Sequence, residues 1–163
     1  MRLFISYRRQ DSAAYAGRLS DDLANRYGPQ SVFSDFAIPP GRDWRRHIEE
    51  ALSLSDAVLV VIGPTWLEAA YRDGSQPRIN DPNDLVRSEL RAAFALQKLL
   101  VPVIVGGAQL PPASSLPEDI ASLSYLEAVS LGHATWTRDV SRLMTRLDGK
   151  VGSRWTRWLP WRK

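Results

Sequence analysis

Leu3-Phe4-Ile5-Ser6-Tyr7-Arg8-Arg9-Gln10-Asp11-Ser12 is the stretch whose reading decides the fold. A run of strand formers ends in two arginines, and Asp11-Ser12 then opens an alanine-rich segment with helical spacing. A strand whose carboxyl end opens into a polar turn and a helix is the first unit of an open α/β sheet. Ligands of such sheets bind beyond the carboxyl ends of the strands. Arg8 and Arg9 therefore stand where a ligand is expected.

Outward from that stretch, strands and helices alternate. Asp11 or Ser12 is placed to cap a helix that carries Ala13, Ala16, Leu19, Leu23 and Ala24 and stops at Tyr27-Gly28-Pro29. A short second strand follows over 31–34, and then a loop, Asp35 to Asp43, that holds Pro39-Pro40-Gly41. A helix is predicted from Trp44 to Leu54. Ala57 to Ile62 is continuously apolar, the mark of a parallel strand covered on both faces. The polar stretch from Arg72 to Asp84 reads as a surface loop. A third helix is predicted over Leu85–Leu99, a fourth strand over Val101–Val105 and a proline-rich loop over 106–117. An edge strand over 128–131 and a last helix over 137–147 complete the chain. The sum is a flavodoxin-like, doubly wound, five-stranded parallel sheet of order 2-1-3-4-5.

Composition bounds the rest. A chain of 163 residues supports one domain with a real core, and 44% apolar with 24% charged residues is an ordinary globular balance. With no cysteine, disulfides and thiolate chemistry are excluded, which fits the cytosol. The opening goes straight into a strand pattern, which reads as no signal peptide. The net charge of +3 is misleading. Five of the 21 Lys and Arg residues lie in 150–163, where there is no acid, so the rest of the chain has 16 basic against 18 acidic residues. That balance predicts no nucleic-acid-binding face.

Several chemistries lack their residues. No dinucleotide fingerprint or phosphate-binding P-loop follows strand one, and no G-x-S-x-G elbow occurs. His47 and His133 are the only histidines and lie far apart, against a histidine triad or metal site. A phospho-acceptor domain of this strand order needs an aspartate at the end of strand three, where Ile62-Gly63-Pro64 stands.

The boxes together carry a family resemblance. Phe4-Ile5-Ser6-Tyr7-Arg8-Arg9 resembles the first signature box of TIR (Toll/interleukin-1 receptor) domains. Val32-Phe33-Ser34-Asp35 with Pro40-Gly41-Arg42 resembles the second box and its BB loop. Asp84-Leu85-Val86-Arg87-Ser88-Glu89-Leu90 resembles the family's catalytic helix, and Leu116-Pro117-Glu118-Asp119 recurs in its enzymatic branch. The resemblance is nearest the bacterial NAD-cleaving branch. It covers residues 2 to about 148, a TIR domain over 1–148 with a tail over 149–163.

The resemblance implies cleavage of the bond between nicotinamide and ribose, with NAD⁺ as substrate and no cofactor or metal. Glu89 matches the catalytic glutamate; its alternative is an exposed helix carboxylate paired with Arg87 or Arg91. The implied nucleotide-binding set is Arg8, Arg9, Phe33, Asp35, Gly41, Arg42, Trp66 and Leu85. Each has a bland alternative: a salt bridge of Arg8 or Arg9 with Asp11 or Asp35, a simple turn at Gly41, a core anchor at Trp66. Leu85 stands where many NAD-cleaving members have an aromatic residue, and the BB loop has Ile38-Pro39-Pro40 where several have an acid. The resemblance also implies association with other TIR domains through the BB loop, in bacterial defence or NAD-based signalling. The other expectation is a non-catalytic TIR–TIR scaffold. Trp155, Trp158 and Trp161 among basic residues suit an anionic membrane interface, or else a tail packed on the domain.

Overall fold

A computed structural model describes residues 1–34, 44–71, 74 and 76–152, with the backbone alone for residues 44, 45, 47, 151 and 152. Five strands form one parallel sheet: β1 (Leu3–Tyr7), β2 (Val32–Ser34), β3 (Ala57–Ile62), β4 (Leu99–Val105) and β5 (Val129–Leu131). Their order is β2-β1-β3-β4-β5, as the alternation of strands and helices predicts. Four helices cover it: α1 (Arg9–Tyr27), α2 (Trp44–Leu54), α3 (Leu85–Ala95) and α4 (Trp136–Gly152). All six residues of β3 are buried, because the central strand has a helical layer on each side.

Alternation along the strands divides the core in two. Leu3, Ile5 and Tyr7 of β1, Leu59 and Val61 of β3, and Val103 of β4 pack with Leu19, Leu23, Val140 and Leu143 of α1 and α4. Phe4, Val58, Val60 and Ile104 pack on the other face with Ile48, Leu52, Val86 and Leu90 of α2 and α3. Pro102, which has no N–H to give a neighbour, sits in β4 just before β5 begins to pair at Val103.

Three expectations need correction. Neither Asp11 nor Ser12 caps α1: the helix starts at Arg9 with no side-chain cap bond, and Ser12 has non-helical angles. The third helix ends at Ala95, not Leu99. Gln97 turns the chain at φ +51°, and Leu99 and Leu100 already pair with Ala57 and Val58. An apolar run such as Leu99-Leu100-Val101 serves helix and strand equally by periodicity, and here the β3 partner decides. Lys98 Nζ secures the turn by donating to the carbonyls of Ser53 and Ser55 at 2.6 and 2.9 Å. The last helix runs past Leu147 to Gly152. A 3-10 segment, Glu118–Tyr125, also lies where no element is predicted, and it buries Ile120 and Leu123 against α3's side of the sheet.

Candidate active site

The face alternation of β1 places Ser6 and Arg8 beneath α3, in line with Phe4. Ser6 Oγ donates to Glu89 Oε2 at 2.6 Å, and both residues are buried, 1% and 3% exposed. Glu89 lies one turn after Leu85 on α3, so the two share a helix face. That face borders a groove of about 460 Å³ between α2 and α3, walled by Ile48, Leu52, Leu85, Ser88, Glu89 and Ala92.

Arg8 is fixed more tightly still. Its guanidinium donates to both oxygens of Asp84, at 2.9 and 2.8 Å, and lies 5.3 Å from the centre of the Trp66 ring. A bidentate Arg–carboxylate pair is a strong, directional contact. Asp84 also caps α3 by accepting the Arg87 N–H at 3.1 Å, and Arg78 Nε stands 3.3 Å from its second oxygen. The carboxylate thus joins the end of β1 to the start of the helix that carries Glu89. Trp66 is 1% exposed, within the α2/α3 core.

Asp11 holds the turn before Trp66. Its carboxylate accepts the N–H groups of Gly63 and Thr65, each at 2.8 Å, and the Thr65 hydroxyl at 3.0 Å. A Cβ at Gly63 would lie 2.6 Å from the Asp11 oxygen, so the approach needs glycine. The segment before α3 is pinned as well. Tyr71 Oη donates to Asp81 at 2.5 Å, and this bond, then the Asn83 N–H, holds the Asp81 carboxyl below the usual range. Arg87 donates to Asp119 and to the Asn80 carbonyl, tying loop, α3 and the 3-10 segment together.

Of the residues expected at a nucleotide site, Glu89 and Leu85 meet at the groove, while Arg8 and Trp66 are buried beside each other at the ends of β1 and β3. Arg9 is exposed at the first position of α1, and Phe33 is half-buried on β2. Asp35, Gly41 and Arg42, and with them the BB loop, lie outside the described residues, as do residues 153–163 with their tryptophans. The bridge expected for Arg8 is to Asp84, not to Asp11. Ser6 and Asp84 are the participants the sequence reading missed. The signals were a polar residue in the apolar alternation of β1 and a helix-capping aspartate. Among the described residues no three His, Asp or Glu side chains group as a metal site, and no helix is long and apolar enough to cross a membrane.

A family model described as "TIR domain" matches residues 3–144. No curated protein matches the sequence. Among solved structures, the chain is similar to the TIR domains of the activated Roq1 resistosome that recognises the effector XopQ. That match has 14% identity and a TM-score of 0.62, over 92% of this chain and 98% of the other. It is also similar to the TIR domain of the Toll-related receptor TRR-2 of Hydra magnipapillata, with 15% identity, a TM-score of 0.58 and 92% and 97% coverage. A TIR-STING receptor from C. gigas matches at 19% identity and a TM-score of 0.53, over 85% of this chain and 38% of that one. At such identities these likenesses establish the fold.

Proposed function

The chain belongs to the TIR-domain family, and from that premise we propose that it cleaves the nicotinamide–ribose bond of NAD⁺. The observation that carries the reading is the buried Glu89 carboxylate, hydrogen-bonded by Ser6 at the edge of the α2/α3 groove. Nicotinamide leaves a pyridinium as a neutral amine. The C–N bond breaks with its electron pair going to the ring nitrogen, so no general acid is needed. Positive charge develops on the ribose, as in other oxocarbenium-like glycosyl transfers. Glu89 stabilises that charge, and Leu85, one turn earlier on the same helix, packs against the leaving ring. Water or another nucleophile then takes the ribosyl cation.

Within this reading the two arginines divide their work. The charge of Arg8 is already matched by Asp84, so it shapes the site floor. Arg9, exposed at the start of α1, is the phosphate contact, aided by the positive end of the helix. Assembly with further TIR domains completes the site, in defence or NAD-based signalling. The test is nicotinamide release from NAD⁺ by concentrated or crowded protein. Release is expected, and Glu89→Ala lowers it by about 100-fold or more. No release under assembling conditions, or equal release by the variant, overturns the proposal.

A further inference from the structure

We propose that Ser6 is a positioning residue for Glu89: its hydroxyl holds the buried carboxylate ionised and fixes its aim at the groove. The effect on rate rests on the proposed role of Glu89 in NAD⁺ cleavage; the effect on ionisation does not. Every other described residue of β1 on that face has a different task. Phe4 fills the α2/α3 core, and Arg8 pairs with Asp84. Ser6, between them, is 1% exposed and opposite Val60 of β3, a place that the surrounding pattern fills with apolar side chains. A serine there forgoes apolar burial, and its Oγ–H goes to Glu89 across 83 positions of sequence.

The chemistry explains the choice. Burial penalises a charged carboxylate, and a hydroxyl donating to it favours the charged form. A distance of 2.6 Å lies in the range of charge-assisted O–H···O⁻ bonds. The other charged groups around Glu89 do not replace that bond. Arg8, beyond Ser6 on β1, is engaged by Asp84 at the start of α3. Glu49 of α2 and Arg91 of α3 border the same groove with opposite charges. Loss of the Ser6 hydroxyl removes a donor from Glu89 Oε2, and a proton taken up by the carboxyl is the remedy nearest at hand.

The experiment titrates the Glu89 side chain in the full chain by carboxyl NMR with isotope-labelled glutamate, in the native protein and in Ser6→Ala. The Glu89→Gln protein assigns the signal. The midpoint is expected to rise by about one pH unit in Ser6→Ala. Ser55→Ala, which deletes another buried hydroxyl bond far from the groove, leaves it unmoved. In the nicotinamide assay the acid limb of kcat/KM moves up by the same amount. An unchanged Glu89 midpoint in folded Ser6→Ala overturns the inference. If the native protein releases no nicotinamide, the proposed function fails while the titration still decides the role of Ser6.

Discussion

On the α1/α4 side of the sheet, β1 presents Leu3, Ile5 and Tyr7 to Leu19, Leu23, Leu143 and Leu147. On the α2/α3 side the same strand presents Phe4, Ser6 and Arg8 to α3, where Glu89 and Asp84 wait. The first side is packed by shape alone, and its polar contacts keep to the rim. There Tyr27 Oη and Arg26 reach the Asp148 carboxylate, each at 2.9 Å. The second side buries two carboxylates, a guanidinium and a hydroxyl near the carboxyl end of β1. Buried polar groups are costly unless paired. A protein that needs only a core has no use for the second arrangement, so the asymmetry between the faces marks where chemistry is to be sought.

Asp84→Ala tests that asymmetry hardest. It leaves Arg8, 3% exposed, without its carboxylate, and it removes the cap of α3. A loss of about 4 kcal/mol in urea unfolding is expected, and replacing Arg8 by Met as well should restore part of it. A loss below about 1 kcal/mol, as for an exposed pair, would erase the distinction between the faces. Leu143→Ala, fully buried on the apolar side, should cost about 3 kcal/mol through lost burial and the cavity left behind. Nicotinamide release per folded molecule should not change, and a fall in it would show that the two faces are coupled.

The smallest effect is at the rim. Burial first, and then the Asp148 carboxylate, push the Tyr27 phenol up from 10 to about 12. The fold therefore favours the neutral phenol. That contribution is complete below pH 10 and is lost as the pH rises through about 12. Asp148→Asn should bring the midpoint part of the way back, followed by near-ultraviolet absorbance, because burial remains. A midpoint that does not move would mean that burial alone sets it.

The sheet was legible because its signals are local. Ala57–Ile62 is apolar at every position, and a strand so composed is central wherever it occurs. Gly28, at φ +94°, ends α1 as a glycine followed by proline should. The end of α3 was not legible, since Gln97 takes a positive φ that its side chain does not announce. The 3-10 segment was hidden for a related reason: Ile120 and Leu123, three apart, are too few to establish a period. At the site, Glu89 and Leu85 could be singled out by their motif. Arg8 and Arg9, adjacent and alike, could not be told apart. One is 3% exposed under α3 and the other is at the surface. Asp11 reads as a cap before any helix, but the turn after β3 folds back onto its carboxylate and takes it.

By itself, then, the sequence determined the alternation of strands and helices, the order of the sheet, the family and the helix on which a catalytic carboxylate is expected. Each of these follows from periodicity or from short boxes of neighbouring residues. Only the tertiary structure decided which charges are matched and which groups can act. The partners of Arg8 and Ser6 stand 76 and 83 positions away, and a hydrogen bond is a matter of ångströms in space. Nothing in the spacing of two distant residues says that β1 will end beneath the first turns of α3. Once it does, an arginine becomes part of the floor, a serine becomes a donor, and a glutamate is held buried at the edge of a groove.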